Sequence, residues 1–254
     1  MEMFFILDLT YKEIFIVEQE ESGKVIYEET YGIFSLQEDE VANLINKNLP
    51  VYKNVFVDIN MDSGIPYVRV QSDDQKHFVR VIKALKKSLA FFMMTLPNKT
   101  FEEMLVELLI QKRIKISTAE SMTGGLIAST LVGVPNASSV LQEAFIVYSD
   151  EAKQKVLDVS PFSLETYGVC SQEVAREMVE KLYLLTNAEI CISVTGIAGP
   201  TGGDETNPVG SVYIGLKTFN QTEVLFHKFR GDRNQVRKLA TMTAICKVIL
   251  HFIH

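Results

Sequence analysis

The sequence predicts a layered α/β/α domain in its C-terminal part, preceded by a small α+β domain. Two observations carry that prediction. From about residue 100 onward, apolar stretches with strand alternation take turns with helical stripes, the pattern of a sheet covered by helices on both faces. Before residue 96, short strands and two amphipathic helices follow one another without that regular alternation. The breaker Pro97-Asn98-Lys99 separates the two patterns and sets domains at 1–96 and 97–254.

In the first domain, Phe4-Phe5-Ile6-Leu7, Glu13-Ile14-Phe15-Ile16-Val17 and Lys24-Val25-Ile26-Tyr27 have strand composition. Ser35 with Glu38 three residues on predicts a capping box for a helix through Val41, Leu44 and Ile45. Val55–Ile59 and Tyr67–Val70 alternate as strands. A longer helix follows, with Phe78, Val81, Ile82, Leu85 and Leu89 on one stripe. No catalytic constellation stands out in this part, and packing, dimerisation or partner contact is its expected role.

In the second domain, Thr100 and Glu103 predict a capping box for a helix through Leu105 and Leu109. Ile114-Lys115-Ile116 predicts a strand, Leu126–Val132 a helix and Phe145–Tyr148 a strand. Ser160-Pro161 opens a short helix that Gly168 ends, and Ser171 caps a longer one through Val174, Met178 and Leu182. Ile190–Val194 leads as a strand into a Gly/Pro-rich loop from Gly196 to Gly210. Strands at Val212–Leu216 and Val224–Phe229 follow, and Asp232 caps a final helix to about residue 252.

Composition narrows the function classes. Of the 254 residues, 47% are hydrophobic and 22% charged, as in a globular protein with a full core. The net charge of −7 argues against a broad nucleic-acid surface. The longest apolar run, Leu89–Met94, is far too short to cross a membrane, and the apolar Met1–Leu7 has no basic flank to make it a signal peptide. Cys170, Cys191 and Cys246 are scattered and without a C-x-x-C pair, so they read as buried thiols in a reducing cytoplasm. The four histidines show no metal-ligand spacing, and no metal or cofactor is expected.

The richest segment is Ser117-Thr118-Ala119-Glu120-Ser121-Met122-Thr123-Gly124-Gly125, which reads as a hydroxyl-rich loop between a strand and a helix. Such a loop offers backbone N–H groups and the positive end of a helix dipole, a place for a phosphate or polar substrate. It has neither the G-x-G-x-x-G nor the G-x-x-x-x-G-K-[ST] spacing, which sets aside the dinucleotide and Walker readings. In sheets of this kind ligands sit beyond the strand C-termini, where both this loop and the 196–210 loop begin.

Five blocks occur in fixed order: 117–125 (STAESMTGG), 145–153 (FIVYSDEAK), 194–203 (VTGIAGPTGG), 207–210 (NPVG) and 229–233 (FRGDR). Together they resemble the CinA C-terminal family, whose enzymatic members are nicotinamide-nucleotide amidases. The resemblance covers roughly residues 100–254. It implies hydrolysis of the carboxamide of nicotinamide mononucleotide to nicotinic acid mononucleotide and ammonia, without a cofactor. It also implies a small-molecule nucleotide as partner, and a homo-oligomer is the expected state.

The chemistry needs an activated nucleophile, a base, a proton donor for ammonia and oxyanion stabilisation. No histidine lies in any block, which argues against a Ser-His-Asp arrangement, while a Ser-Lys arrangement is available provided the lysine is neutral. Three serines compete: Ser121, Ser138 and Ser139. By resemblance to the family's Pro-Gly-x-Ser turn, Ser138 is the expected nucleophile, Lys153 the base and Tyr148 the orienting or relaying hydroxyl. Ser121 is the alternative nucleophile. In the first assignment Ser121, Thr123, Gly124 and Gly125 bind substrate or the oxyanion. Gly196, Ala198, Gly199 and Gly202 would cradle ribose or phosphate, and Arg233 is a phosphate clamp by its fork geometry.

Each of these residues has a plainer reading. Ser138 and Ser139 fit turn or cap serines, Lys153 beside Lys155 fits a solvated helix face, Tyr148 a core tyrosine and Glu120 a structural partner of its loop. Three positions depart from the family pattern. Met122 stands where cysteine is usual. Asn136 replaces the turn glycine and is the non-glycine residue best suited to positive φ. Asp150 replaces asparagine and adds a negative charge that favours protonated Lys153.

Overall fold

The computed structural model describes residues 16–17, 26–33, 38–60, 67–89, 93–95 and 99–253. The expected strand at Phe4–Leu7, the Ser35 cap and the breaker residues Pro97 and Asn98 lie outside them. The chain divides into two compact units, of which the second spans Lys99–Phe252.

The first unit is an antiparallel sheet with two helices. Strands β1 (Ile16–Val17), β2 (Ile26–Ile33), β3 (Val55–Asn60) and β4 (Tyr67–Ser72) lie in the order β1-β2-β4-β3, and β5 (Met93–Thr95) pairs with β2. Helix α1 (Glu38–Asn48) contributes Val41 and Ile45 to the core, and α2 (Gln75–Leu89) contributes Phe78, Val81, Ile82, Leu85 and Leu89. These residues recur at three- and four-residue intervals, so one helical face meets Val68 and Val70 of β4. Burying each such side chain contributes roughly 1.5–3 kcal/mol.

The second unit is a five-stranded mixed sheet. Its elements are α3 (Phe101–Lys112), β6 (Ile116–Glu120), α4 (Leu126–Val132), β7 (Leu141–Ile146), α5 (Asp150–Leu157), α6 (Pro161–Tyr167), α7 (Gln172–Thr186), β8 (Ile190–Gly196), β9 (Ser211–Lys217), β10 (Thr222–Lys228) and α8 (Arg233–Ile253). Strand order is β10-β9-β8-β6-β7. β6 is parallel to both neighbours, whereas β9 and β10 run antiparallel. The chain moves outward from β6 to β7 and back past β6 to β8. Right-handed crossovers therefore put α4 on one face and α5–α7 on the other. On the latter face Val174, Met178, Val179 and Leu182 of α7 pack with Ala119, Val147 and Cys191.

Helix ends follow the capping signals. Thr100 Oγ1 accepts from the Glu103 N–H at 3.4 Å while Glu103 Oε2 accepts from the Thr100 N–H at 2.8 Å. Ser171 Oγ accepts from the Val174 N–H, and Asp232 Oδ1 accepts from the N–H groups of Asn234 and Gln235. Asn136 takes φ 67°, the left-handed conformation expected of it.

Among the strands that differ from expectation, two bear on the site. β6 runs from Ile116 to Glu120, so Ser117–Glu120 belong to the sheet and only Ser121–Gly125 form the loop. Hydroxyl side chains favour turns in isolation, but this strand is central, laddered on both sides and fully buried. β7 starts at Leu141 and ends at Ile146, before Tyr148.

Candidate active site

β6, β7 and β8 are parallel, so their C-terminal ends open on one edge. At that edge the Val147 N–H donates to Glu120 O at 2.8 Å and the Ser121 N–H to Val194 O at 2.9 Å. The residue after each strand is thereby fixed beside its neighbours. β6 exits toward β7 while β8 exits toward β9, and the crevice between two strands whose connections diverge is where such sheets bind ligands. Ser121 stands at that crevice.

The turn after β6 is held from three sides. The Gly124 N–H donates back to Ser121 O at 3.1 Å. Glu120, fully buried, accepts from the Ile127 and Ala128 N–H groups at 3.1 and 2.9 Å, and Thr118 Oγ1 lies 3.4 Å from its Oε1. The carboxylate thus takes two of the orphan donors at the start of α4. The helix N-terminus expected to receive a ligand anion is occupied by the chain's own Glu120, in the structural role open to it from sequence. Gly125 has φ 88°, a conformation that strains any side chain, and a Cβ there would lie 2.9 Å from Ile146 Cδ1. The third hold is Arg237 of α8. Its Nε donates to Met122 O at 3.2 Å and its Nη2 to Thr123 O at 2.7 Å.

Beyond β7, the Ser149 hydroxyl caps α5 by accepting from the Ala152 N–H at 3.1 Å. One turn on, Lys153 points inward: its side chain is 0% exposed, and Nζ donates to Tyr148 O at 3.2 Å. Burial pushes the Lys153 amine below its ordinary value, opposed in part by the charges of Asp150 and Glu151. Asp150 Oδ1 lies 3.9 Å from Nζ, but its side chain is 49% exposed, so water screens its pull. Lys153 is therefore not a solvated helix-face residue. Tyr148 is not a core residue either: it is 59% exposed, and its hydroxyl accepts from Arg233 Nη2 at 2.9 Å. Arg233 Nη1 donates to Gly199 O at 2.8 Å, so one guanidinium ties the segment after β7 to the loop after β8.

That loop, 197–210, closes on itself. The Ile197 N–H donates to Ser211 O and the Gly210 N–H to Ile197 O, each at 2.8 Å. A Cβ at Gly196 would lie 2.6 Å from Ser211 O, and one at Gly199 would lie 2.5 Å from Val209 Cγ1. Ala198 is buried. Gly196 and Gly199 are therefore required where the loop's own residues 209–212 return against them. At Gly202 the nearest atom to a Cβ is Ile197 Cγ2 at 3.8 Å.

Ser138 is elsewhere. It sits in a single 3-10 turn, Ala137–Ser139, before β7 begins. Around that turn the Ile116 N–H donates to Val140 O and Lys115 Nζ to Ser139 O, contacts at the N-terminal edge of the sheet. The six residues of β7 separate the two edges by about 20 Å at 3.3 Å per residue. Ser138, expected from the resemblance to face Lys153, is at the wrong end of the strand. Ser121, the alternative, shares the edge with Tyr148, Lys153 and Arg233. Arg237 and the anchoring contacts of Glu120 complete the arrangement. Arg237 carried a usable signal, since it lies four residues after Arg233 and so on the same helical face.

The profile of the CinA C-terminal domain matches residues 98–252. A protein of Caldicellulosiruptor saccharolyticus named as competence-damage inducible is 40% identical over 206 residues, covering 81% of this chain and 49% of its own length. A CinA-like protein of Fusobacterium nucleatum is 37% identical over 224 residues, 87% of this chain and 54% of its own. The chain thus spans about half the length of these curated relatives. Among solved structures, a CinA superfamily protein of Escherichia coli superposes with a TM-score of 0.57 at 32% identity, covering 61% of this chain and 92% of its own. A competence damage-inducible protein A of Klebsiella pneumoniae gives 0.58 at 31%, covering 61% and 99%. With the profile matching more than half of the chain and the same fold in these neighbours, the chain belongs to the CinA C-terminal domain family.

Proposed function

We propose that residues 99–252 form a serine–lysine amidase that hydrolyses the carboxamide of nicotinamide mononucleotide. The observation that carries this reading is the enclosed Lys153 amine at the sheet edge where Ser121 follows β6. A lysine serves as a base only when neutral, and burial favours that form. Its bond to Tyr148 O fixes one N–H and leaves the lone pair free.

In this mechanism Ser121 Oγ attacks the carboxamide carbon while Lys153 Nζ takes the hydroxyl proton. The carbonyl π electrons move to oxygen and form the tetrahedral oxyanion. As that collapses, the C–N bond breaks, and the proton held by Lys153 passes to nitrogen so that ammonia leaves. Water then attacks the nicotinoyl–Ser121 ester, giving up a proton to Lys153, which returns it to Ser121 as the acid departs. Tyr148, whose hydroxyl accepts from Arg233, supplies the relaying hydroxyl in this reading. Arg233 retains N–H groups beyond the two it uses, and its charge suits the nucleotide phosphate. The three cysteines are unpaired, in keeping with a reducing cytoplasm.

Asp150, 3.9 Å from Lys153 Nζ, favours a second reading in which the lysine stays protonated and the site binds nucleotide without turnover. Ammonia release by the purified protein from nicotinamide mononucleotide decides between them. Release that depends on Ser121 supports the amidase. Calorimetric binding without ammonia supports the second reading.

A further inference from the structure

We infer that Arg237 is the positioning residue that builds the oxyanion hole, a proposal that rests on Ser121 being the attacking serine. Thr123, two residues after Ser121, is 0% exposed, and its hydroxyl has no hydrogen-bond partner among the described residues. Its N–H also has no acceptor among the described residues. Buried polar groups are almost always paired, so a residue with two orphan donors beside a nucleophile marks a place for an absent acceptor.

Arg237 explains how the N–H is aimed. In a trans peptide the C=O and the following N–H point in opposite directions. Arg237 pulls Met122 O and Thr123 O toward α8 with two arms of one planar fork. The N–H of Thr123 therefore points away from α8. The N–H of Gly124, on the second clamped peptide, turns back to Ser121 O. The guanidinium is itself fixed, since Nη1 donates to Asn234 Oδ1 at 3.2 Å. Without the fork the turn is free to rotate its peptides, and the Thr123 N–H loses its aim. An amide oxygen becoming an oxyanion is an acceptor that a backbone N–H and a neighbouring hydroxyl suit.

The test compares wild type, Arg237→Ala and Arg237→Lys with nicotinamide mononucleotide and with nicotinamide riboside, which lacks the phosphate. Loss of aligned oxyanion donors lowers kcat by about 10²-fold with KM little changed. Arg237→Lys keeps the charge but cannot hold two carbonyls in a plane, so it stays within about 10-fold of the alanine variant. Both substrates show the same fold-loss, and added guanidinium restores part of the Arg237→Ala rate. Labelling of Ser121 by a fluorophosphonate, read by mass spectrometry, slows in parallel because it needs the same hole but no nucleotide. Melting temperatures identify any variant that has simply unfolded, and Arg237→Lys then carries the comparison. Unchanged kcat in the alanine variant overturns the inference. So does a loss seen only with the phosphorylated substrate, which would make Arg237 a phosphate ligand. A wild type that neither releases ammonia nor labels at Ser121 overturns the amidase reading instead, and this inference with it. Labelling that depends on Arg237 in a protein inert to the nucleotide supports the hole and redirects the search to another amide.

Discussion

Each edge of the second unit's sheet carries a serine and a lysine, and the two lysines differ in their access to water. At the N-terminal edge, exposed Lys115 donates to Ser139 O from a solvated position, with Ser138 exposed beside it. At the C-terminal edge, Lys153 is enclosed and Ser121 sits in a turn held by Glu120 and Arg237. The residue types are the same. What differs is water: Lys115 is exposed to it, whereas enclosure pushes Lys153 toward the amine that can accept a proton. Desolvation, rather than the proximity of a serine and a lysine, distinguishes the two edges.

The largest expected effect separates the two serines. Ser121→Ala should lower ammonia release by about 10³-fold or more, the scale of removing a nucleophile, while Ser138→Ala stays near wild type. Equal losses would break the contrast between the edges. Next come the lysines. Lys153→Met should cost about 10²–10⁴-fold in kcat, the range of a general base, and Lys115→Met almost nothing. The pH-rate profile carries the sign: in wild type the rate rises as pH passes upward through the depressed Lys153 value, because only the neutral amine is a base.

Stability gives an independent check on the same lysine. Between that depressed value and the ordinary 10.5, the unfolded chain holds a proton that the folded chain has lost, so wild-type stability increases with pH there. Lys153→Met removes this increase, and melting temperature against pH reads it directly.

The third test concerns the scaffold. Glu120→Ala strands two helix N–H groups and should cost about 2 kcal/mol by urea unfolding, against a few tenths for exposed Lys115→Ala. The smallest effect sharpens the electrostatics. Asp150→Asn removes a charge that raises the Lys153 value, so the acid limb of the rate profile should move to lower pH. At neutral pH the rate should rise a few-fold, about what a weak, half-screened ion pair allows. An acid limb that stays in place would show that Asp150 is too well solvated to matter.

Much of this was legible before any coordinates. The helices α3, α7 and α8 start at the caps that Thr100, Ser171 and Asp232 announce, because a capping bond is made within four residues and needs no distant partner. The stripe of Phe78, Val81, Ile82, Leu85 and Leu89 is buried as its spacing requires. Arg233 and Tyr148, chosen as site residues from separate blocks, are hydrogen-bonded to each other. The strand β6 was not legible in full: Ser117 and Thr118 look like loop residues until the ladders on both sides are known. Gly196 and Gly199 suggested a ligand cradle, and the need for glycine there also comes from residues 209–212, which only the folded loop brings back against them.

The sequence by itself determined the alternation of strands and helices, the caps, the buried stripes and the family, since each rests on local spacing or on motif order. Only the tertiary structure decided which serine shares the lysine's edge of the sheet and whether that lysine is dry. Spacing along the chain is blind to strand direction: Ser138 lies nearer to Lys153 in sequence, yet a whole strand intervenes, while Ser121 arrives on the neighbouring parallel strand at the same edge. Burial has the same origin. Lys153 loses its water because α5 turns it inward, and no pattern of neighbouring residues in the chain states that.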